Sequence, residues 1–317
     1  MIHTIAEKRT ALFISFCILI FTTIFFNSCN KETFSWETDY ETAISIAKQK
    51  DKAIFVVFTG LAWDHKSALV KKQILDNNDF MKTVAKSFVL LSIDIDGNDE
   101  TVPADIAEFN YFLALTMGIQ SMPAFLLLTK NGIPFTQLQT GEFTTAEGVL
   151  ALIQTNEKSV SKFLELENSI EKKEGMQKIK AIDAMYTNLP IQYRLLMRDT
   201  IHQIPKLDPE NKSGLLGKYK LQIAYSDAQS YLEKNDIEGA VNCFSILTET
   251  ENLLTKEDTQ EVFYSIAFLA AKSGKPNKEV IELLEKSYDA APESDKAKQL
   301  LEIIEQLGAA QKAENSN

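Results

Sequence analysis

The sequence predicts an α/β domain followed by an all-α domain. Two observations carry this. From Asp39 to Thr155, short unbroken apolar runs alternate with segments of helical period. From Glu157 to Gln311 no strand-like run appears, and helix-period segments are separated by Pro and Gly. The chain has 317 residues, enough for about two domains. Hydrophobic residues make up 45% and charged residues 24%, a globular composition. The net charge is −11. An acidic surface repels phosphates, so nucleic acid is not an expected partner.

Residues 1–28 have the pattern of an export signal: Lys8 and Arg9 precede an 18-residue run without charge, Ala11 to Ser28. Phe26-Asn27-Ser28-Cys29 resembles a bacterial lipobox, with cleavage before Cys29 and lipid on its thiol. The same run is long enough for an uncleaved membrane anchor. Either reading puts the rest of the chain in the cell envelope, facing the periplasm or exterior. Of three cysteines, Cys17 would leave with the signal and Cys29 would carry lipid. Cys243 alone remains, and one thiol forms no internal disulfide. Residues 29–38 read as a tether.

The first domain is expected over 39–155, in the order αβαβαββα. Asp39 to Lys50 is helical, with Tyr40, Ile44 and Ala47 on one face. Ala53 to Thr59 is a strand buried on both faces. After a turn at Gly60 to Trp63, a helix is expected from Asp64 to about Asn77, with Leu69, Val70, Gln73 and Ile74 at helical spacing. Phe88 to Ile93 is a second strand. A polar loop from Asp94 leads to a helix ending near Met117. Ala124 to Leu128 is a third strand. Asn131-Gly132 marks a hairpin, so Ile133 to Leu138 returns antiparallel. A helix from Thr144 to about Thr155 closes the unit.

FVVFTGLAWDHKS, FVLLSIDID and MGIQSMPAFLLLTKNG together resemble the thioredoxin fold, in the branch whose turn reads F-x-G-x-x-W-C-x-x-C. Trp63 falls on the family's Trp, and Met122-Pro123 on its cis-proline loop. Where that family has Cys-x-x-Cys, this chain has Asp64-His65-Lys66-Ser67. The preceding strand also lacks the buried acidic proton shuttle often found in the family. Dithiol exchange within this domain is therefore chemically excluded. An aspartate at a helix start is a good N-cap, which is the plain role for Asp64. The resemblance implies that a peptide-binding groove survives, formed by Trp63, Asp64, Ser67, Met122 and Pro123. There the backbone of Met122 would pair with an extended polypeptide, a form of strand addition that needs no sulfur.

No catalytic residue, cofactor or metal is expected. His65 beside Asp64 suggests a metal or acid–base pair, but adjacent helical residues point about 100° apart, and a solvated turn residue is the simpler account. Asp94-x-Asp96-x-Asn98 resembles a calcium loop, but Asp99 replaces the required Gly and Asp105 the terminal Glu. A polar loop is expected there.

The second domain is expected over 156–312, with a flexible tail at 313–317. Its helices are expected at 157–173, 176–187, 190–203, 212–234, 237–249, 256–273, 277–290 and 294–310, paired as antiparallel hairpins. Tyr231 to Val241 and Phe268 to Pro292 resemble tetratricopeptide repeats. The interval from Ala240 to Val280 is 40 residues, against a period of about 34. Cys243 is read as a small core residue, and His202 as a helix-end residue. The composite expectation is an envelope lipoprotein that binds envelope proteins or extended peptides as an assembly or scaffold module. The alternative is an accessory factor in thiol–disulfide exchange that relies on a partner's thiols.

Overall fold

The computed structural model describes residues 34–95, 103–141, 144–250 and 252–314. Cys29, the apolar run before it and most of the Asp94 loop lie outside the described residues.

The first domain is built as helix Tyr40–Lys50 (α1), strand Ala53–Thr59 (β1), helix His65–Val70 (α2) with a π-turn over Lys71–Leu75, helix Asn78–Val84 (α3), strand Phe88–Asp94 (β2), helix Ala104–Thr116 (α4), strands Ala124–Leu128 (β3) and Pro134–Leu138 (β4), and helix Ala146–Thr155 (α5). The sheet order is β2-β1-β3-β4. β1 runs parallel to β2 and antiparallel to β3, and β3 is antiparallel to β4.

All seven residues of β1 are buried, because successive side chains alternate between two apolar layers. Ile54, Val56 and Phe58 face α1 and α4 through Ala43, Ala47, Leu113 and Met117. Ala53, Phe55 and Val57 face the opposite layer, with Val70, Ile74 and Phe80. Phe55 is the hub of that layer, with ring centroids 6.0 Å from Trp36 and Phe80, 6.2 Å from Phe125 and 6.5 Å from Phe88.

Three expectations need correction here. Residues 34–38 are not tether. The Glu37 N–H donates to Leu90 O, its carbonyl accepts from Ser92 N, and the Trp36 indole N–H donates to Leu75 O. The pairing covers the outer edge of β2, and the indole fills space beside Phe55. The helix expected over 64–77 is interrupted: a π-turn ends it, and α3 follows as a separate helix. Asn77 starts α3 by accepting from the Asp79 and Phe80 amides, and this cap was hidden within a polar Asp-Asn-Asn-Asp run. The helix expected over 190–203 is a 3-10 helix, Ile191–Met197, followed by two short helices, Arg198–Ile201 (α8) and Ile204–Leu207 (α9), which follow helices Glu157–Lys172 (α6) and Gly175–Asn188 (α7) in the chain.

The apolar layer around Phe55 does not stop at residue 155. It continues through Phe163 on α6, Ile182 and Met185 on α7, Ile201, Ile204 and Tyr219. Phe163 stacks on Phe135 of β4 at 4.6 Å. A polar cluster reinforces this junction. The Lys130 ammonium donates to Asp51, Asn168 and Glu171 at 3.0, 3.0 and 2.8 Å. The Lys130 amide and the Asn131 side chain donate to the Glu167 carboxylate. Burial works against the charge on Lys130, but the carboxylates of Glu171 and Asp51 outweigh it and hold its pKa above the usual value. Burial pushes the Glu167 carboxyl up.

Beyond Gly214 the chain forms helices Leu216–Leu232 (α10), Ile237–Thr248 (α11), Lys256–Lys272 (α12), Asn277–Ala290 (α13) and Ala297–Glu314 (α14), each packed on the next. Asn235, in the left-handed region, ends the turn after α10, and Asp236 caps α11 through Gly239 N. A side chain at Gly239 would strike the Tyr231 ring. Buried Gln260 donates to Ser287 O and Ala291 O, tying α12 to α13. Cys243 is half-buried, and its thiol donates to Gly239 O.

Because one apolar layer spans sheet and helices, urea should unfold residues 34–207 in one transition. Phe163→Ala should destabilise that transition by about 3–5 kcal/mol. Two separate transitions, with only the later-melting one affected, would refute a shared core.

Candidate functional site: the cis-proline groove

The turn after β1 is closed by a three-membered lock. The Asp64 carboxylate Oδ2 accepts from both the amide and the hydroxyl of Ser67, each at 2.6 Å. The Ser67 Oγ in turn accepts from the Gly60 amide at 3.0 Å. Asp64 N–H donates back to Gly60 O at 2.7 Å. Asp64 is the N-cap of α2, the position whose free amides and dipole favour an anion. Burial raises its pKa, but the hydrogen bonds from Ser67 and Lys66 together outweigh that, and the net shift is downward. Ser67 has no solvent exposure.

Trp63 lies flat against this turn. A Cβ at Gly60 would fall 2.4 Å from its ring, so glycine is needed there for close approach. The indole N–H donates to Ile95 O at 2.9 Å, and the residue is 62% exposed. Asp94 braces the same region by accepting from the Thr59 hydroxyl and the Leu61 amide.

The peptide bond Met122-Pro123 is cis. Beside it opens a groove of about 180 Å³. One wall is Lys66, Leu69 and Val70 of α2 with Gln73 of the π-turn. The floor is Ser121, Met122 and Pro123, and the far wall includes Thr140, Gly141, Thr144 and Thr145. Met122 lies beyond the last ladder pair, Phe58 with Ala124. Its N–H and C=O form no backbone hydrogen bond with another described residue.

Of the five residues expected to form the groove, Met122 and Pro123 line it. Asp64 and Ser67 are committed to the lock, and Trp63 is turned to Ile95. Sequence reasoning missed Lys66, Leu69, Gln73 and the wall of Thr140, Gly141, Thr144 and Thr145. The first three repeat at i, i+3 and i+7, which marks one helix face. The second wall comes from loop geometry, which has no period to read. His65 is exposed, and among the described residues no cluster of three or more His, Cys, Asp or Glu is placed to hold a metal ion. His202 ends α8, with Nε2 3.3 Å from Asp227, which also takes Arg198.

A family model described as thioredoxin-like matches residues 35–130, which hold β1 to β3, the turn after β1 and the cis-proline floor of the groove but not its far wall. Residues 35–130 are a thioredoxin-like domain. A second model, described as an uncharacterised protein C-terminal domain, matches residues 215–313, the stretch that holds α10 to α14. An uncharacterized protein of Treponema pallidum (strain Nichols) is 24% identical over 235 residues, covering 72% of this chain and 76% of that one. An alignment that long runs from the thioredoxin-like domain into the helices. The thioredoxin-related protein DsbJ of Chlamydia pneumoniae is 24% identical over 100 residues, 32% of this chain and 28% of its own. A solved chain titled DsbH Oxidoreductase matches with a TM-score of 0.36 and 19% identity, over 40% of this chain and 85% of that one, a likeness too low to bear weight.

Asp64→Ala should remove the lock and the cap at once, at a cost of about 1 kcal/mol. The carboxyl's folded pKa is depressed, so its contribution is present above the ordinary value of 3.8 and is lost as pH falls through the lowered one. Urea unfolding of wild type and Asp64→Ala should therefore differ at pH 7 and converge in strong acid. A constant difference at all pH values would contradict this account.

Proposed function

We propose that this is an envelope lipoprotein whose thioredoxin-like domain binds extended polypeptide without exchanging electrons with it. The observation that carries the reading is the pairing of an oxygen-only turn with an open groove. The two positions where the family's sulfurs would stand hold Asp64 and Ser67, hydrogen-bonded to each other at 2.6 Å. The cis-proline floor remains beside them, and the Met122 backbone groups form no backbone hydrogen bond with another described residue. An extended segment would pair there by strand addition, its side chains against Leu69 and Val70. The helical unit serves as a further surface, as stacked helical hairpins commonly do. Export and lipid on Cys29 are supported by the basic start, the apolar run and the lipobox-like Phe26 to Cys29. No described helix is long and apolar enough to cross a membrane.

The second reading is an accessory role in thiol–disulfide exchange, favoured by the likeness to a thioredoxin-related protein. It would draw on a partner's thiols. Cys243 is a poor substitute, because burial and then the nearby Asp227 and Asp236 push its thiol pKa up, away from the thiolate that reacts.

The two readings separate in one set of assays. The lipid-anchored protein in detergent should bind a reduced, carboxymethylated polypeptide and should not reduce insulin. Leu69→Asp should weaken that binding by about tenfold, whereas Trp63→Ala should leave it unchanged. Insulin reduction by wild type that survives Cys243→Ser would overturn the proposal. Incorporation of labelled fatty acid should disappear in Cys29→Ala, and persistence of the label there would remove the anchor.

A further inference from the structure

Helix α4 buries Asn110, Leu113 and Ala114 against the sheet. Its opposite face is not the polar surface that an amphipathic helix normally gives to water. Tyr111, Phe112 and Leu115 are 57%, 63% and 57% exposed there. The Tyr193 hydroxyl donates to Met117 O at 3.3 Å, which anchors the 3-10 helix beside the end of α4. Tyr111, Phe112 and Leu115 are neighbours on one helix face, and exposed apolar side chains grouped in this way mark an interaction surface.

Charge decides what fits. Between Lys86 and Lys130 the chain has no Lys, Arg or His and has six carboxylates. Two of these, Asp105 and Glu108, are exposed on α4 itself. An anionic bilayer would be repelled by them and by the net charge of −11. A second copy would bring the same carboxylates to the same face. A polypeptide with an apolar stripe and Lys or Arg flanks satisfies both features.

We propose that the outward face of α4 seats a cationic amphipathic helix, with apolar side chains on Phe112 and Leu115 and basic ones toward Asp105 and Glu108. This is helix-on-face recognition. None of these residues lines the cis-proline groove, so the surface stands whether or not the groove binds polypeptide.

The test uses the full chain in detergent and a fluorescein-labelled helical Leu/Lys peptide, with a Leu/Glu peptide of the same pattern as control. Anisotropy should report binding of the first and not the second. Phe112→Asp with Leu115→Asp makes the protein more acidic, so attraction by net charge alone would tighten binding. The proposal expects a loss on the order of a hundredfold, as when central apolar anchors are removed. Phe112→Ser with Leu115→Ser, checked for unchanged helicity and melting, should lose affinity in the same direction. Phe268→Asp on α12 should change nothing. Tighter or unchanged binding in the aspartate variant overturns the proposal. So does a wild-type dimer that this variant dissolves. Slowed hydrogen exchange in α4 on phosphatidylcholine nanodiscs but not with peptide would also overturn it, in favour of a lipid surface.

Discussion

A strand that buries every side chain must be covered twice. β1 imposes that condition here, and the molecule's plan follows from it. One covering layer is supplied by α1, through Ala43 and Ala47, and by α4, through Leu113 and Ala114. The other layer is too wide for α2, α3 and α5 alone. Helices α6 and α7 complete it, so the boundary at residue 155 is a change of pattern and not a break in packing. Phe135 and Phe163 meet across that boundary with their rings stacked, which removes apolar surface that either part would otherwise expose. The thioredoxin-like domain thus borrows part of its core from the chain that follows it.

The turn at Gly60 to Ser67 shows how a reactive element becomes a structural one. The field at a helix N-terminus stabilises any anion. A thiolate placed there is a nucleophile, whereas a carboxylate there is a cap. Asp64 takes the second role and recruits the Ser67 hydroxyl, which reaches the Gly60 amide. The Ser67 hydroxyl both donates to Asp64 and accepts from Gly60, so it is committed within this small circuit. The groove beside it differs, because Met122 keeps its backbone groups unpaired with other described residues.

Much of the fold was legible because its signals are periodic. Unbroken apolar runs located β1, β2 and β3, Asn131-Gly132 located the hairpin, and the helices after Glu157, apart from the one expected over 190–203, fell within a few residues of their expected ends. The misses share a cause, which is tertiary contact overriding a local pattern. Residues 34–38 look like linker until Leu90 and Ser92 offer them a strand edge. Ile191 to Met197 have helical spacing, yet Pro190 before them and the Tyr193 bond to Met117 accompany a tighter 3-10 path. The site was half legible. Motif order found Met122 and Pro123, but the loop wall with Thr140, Gly141, Thr144 and Thr145 and the turn of Trp63 toward Ile95 depend on distances that no spacing encodes.

The buried ammonium of Lys130 has a mechanical consequence. It stands in the turn of the β3–β4 hairpin and grips Asn168 and Glu171 on α6 together with Asp51 at the end of α1. The far end of that hairpin delivers Thr140 and Gly141 to the groove wall. Two paired strands therefore join the helical arm, held at one end by an ammonium, to the loop that borders the cis-proline groove at the other.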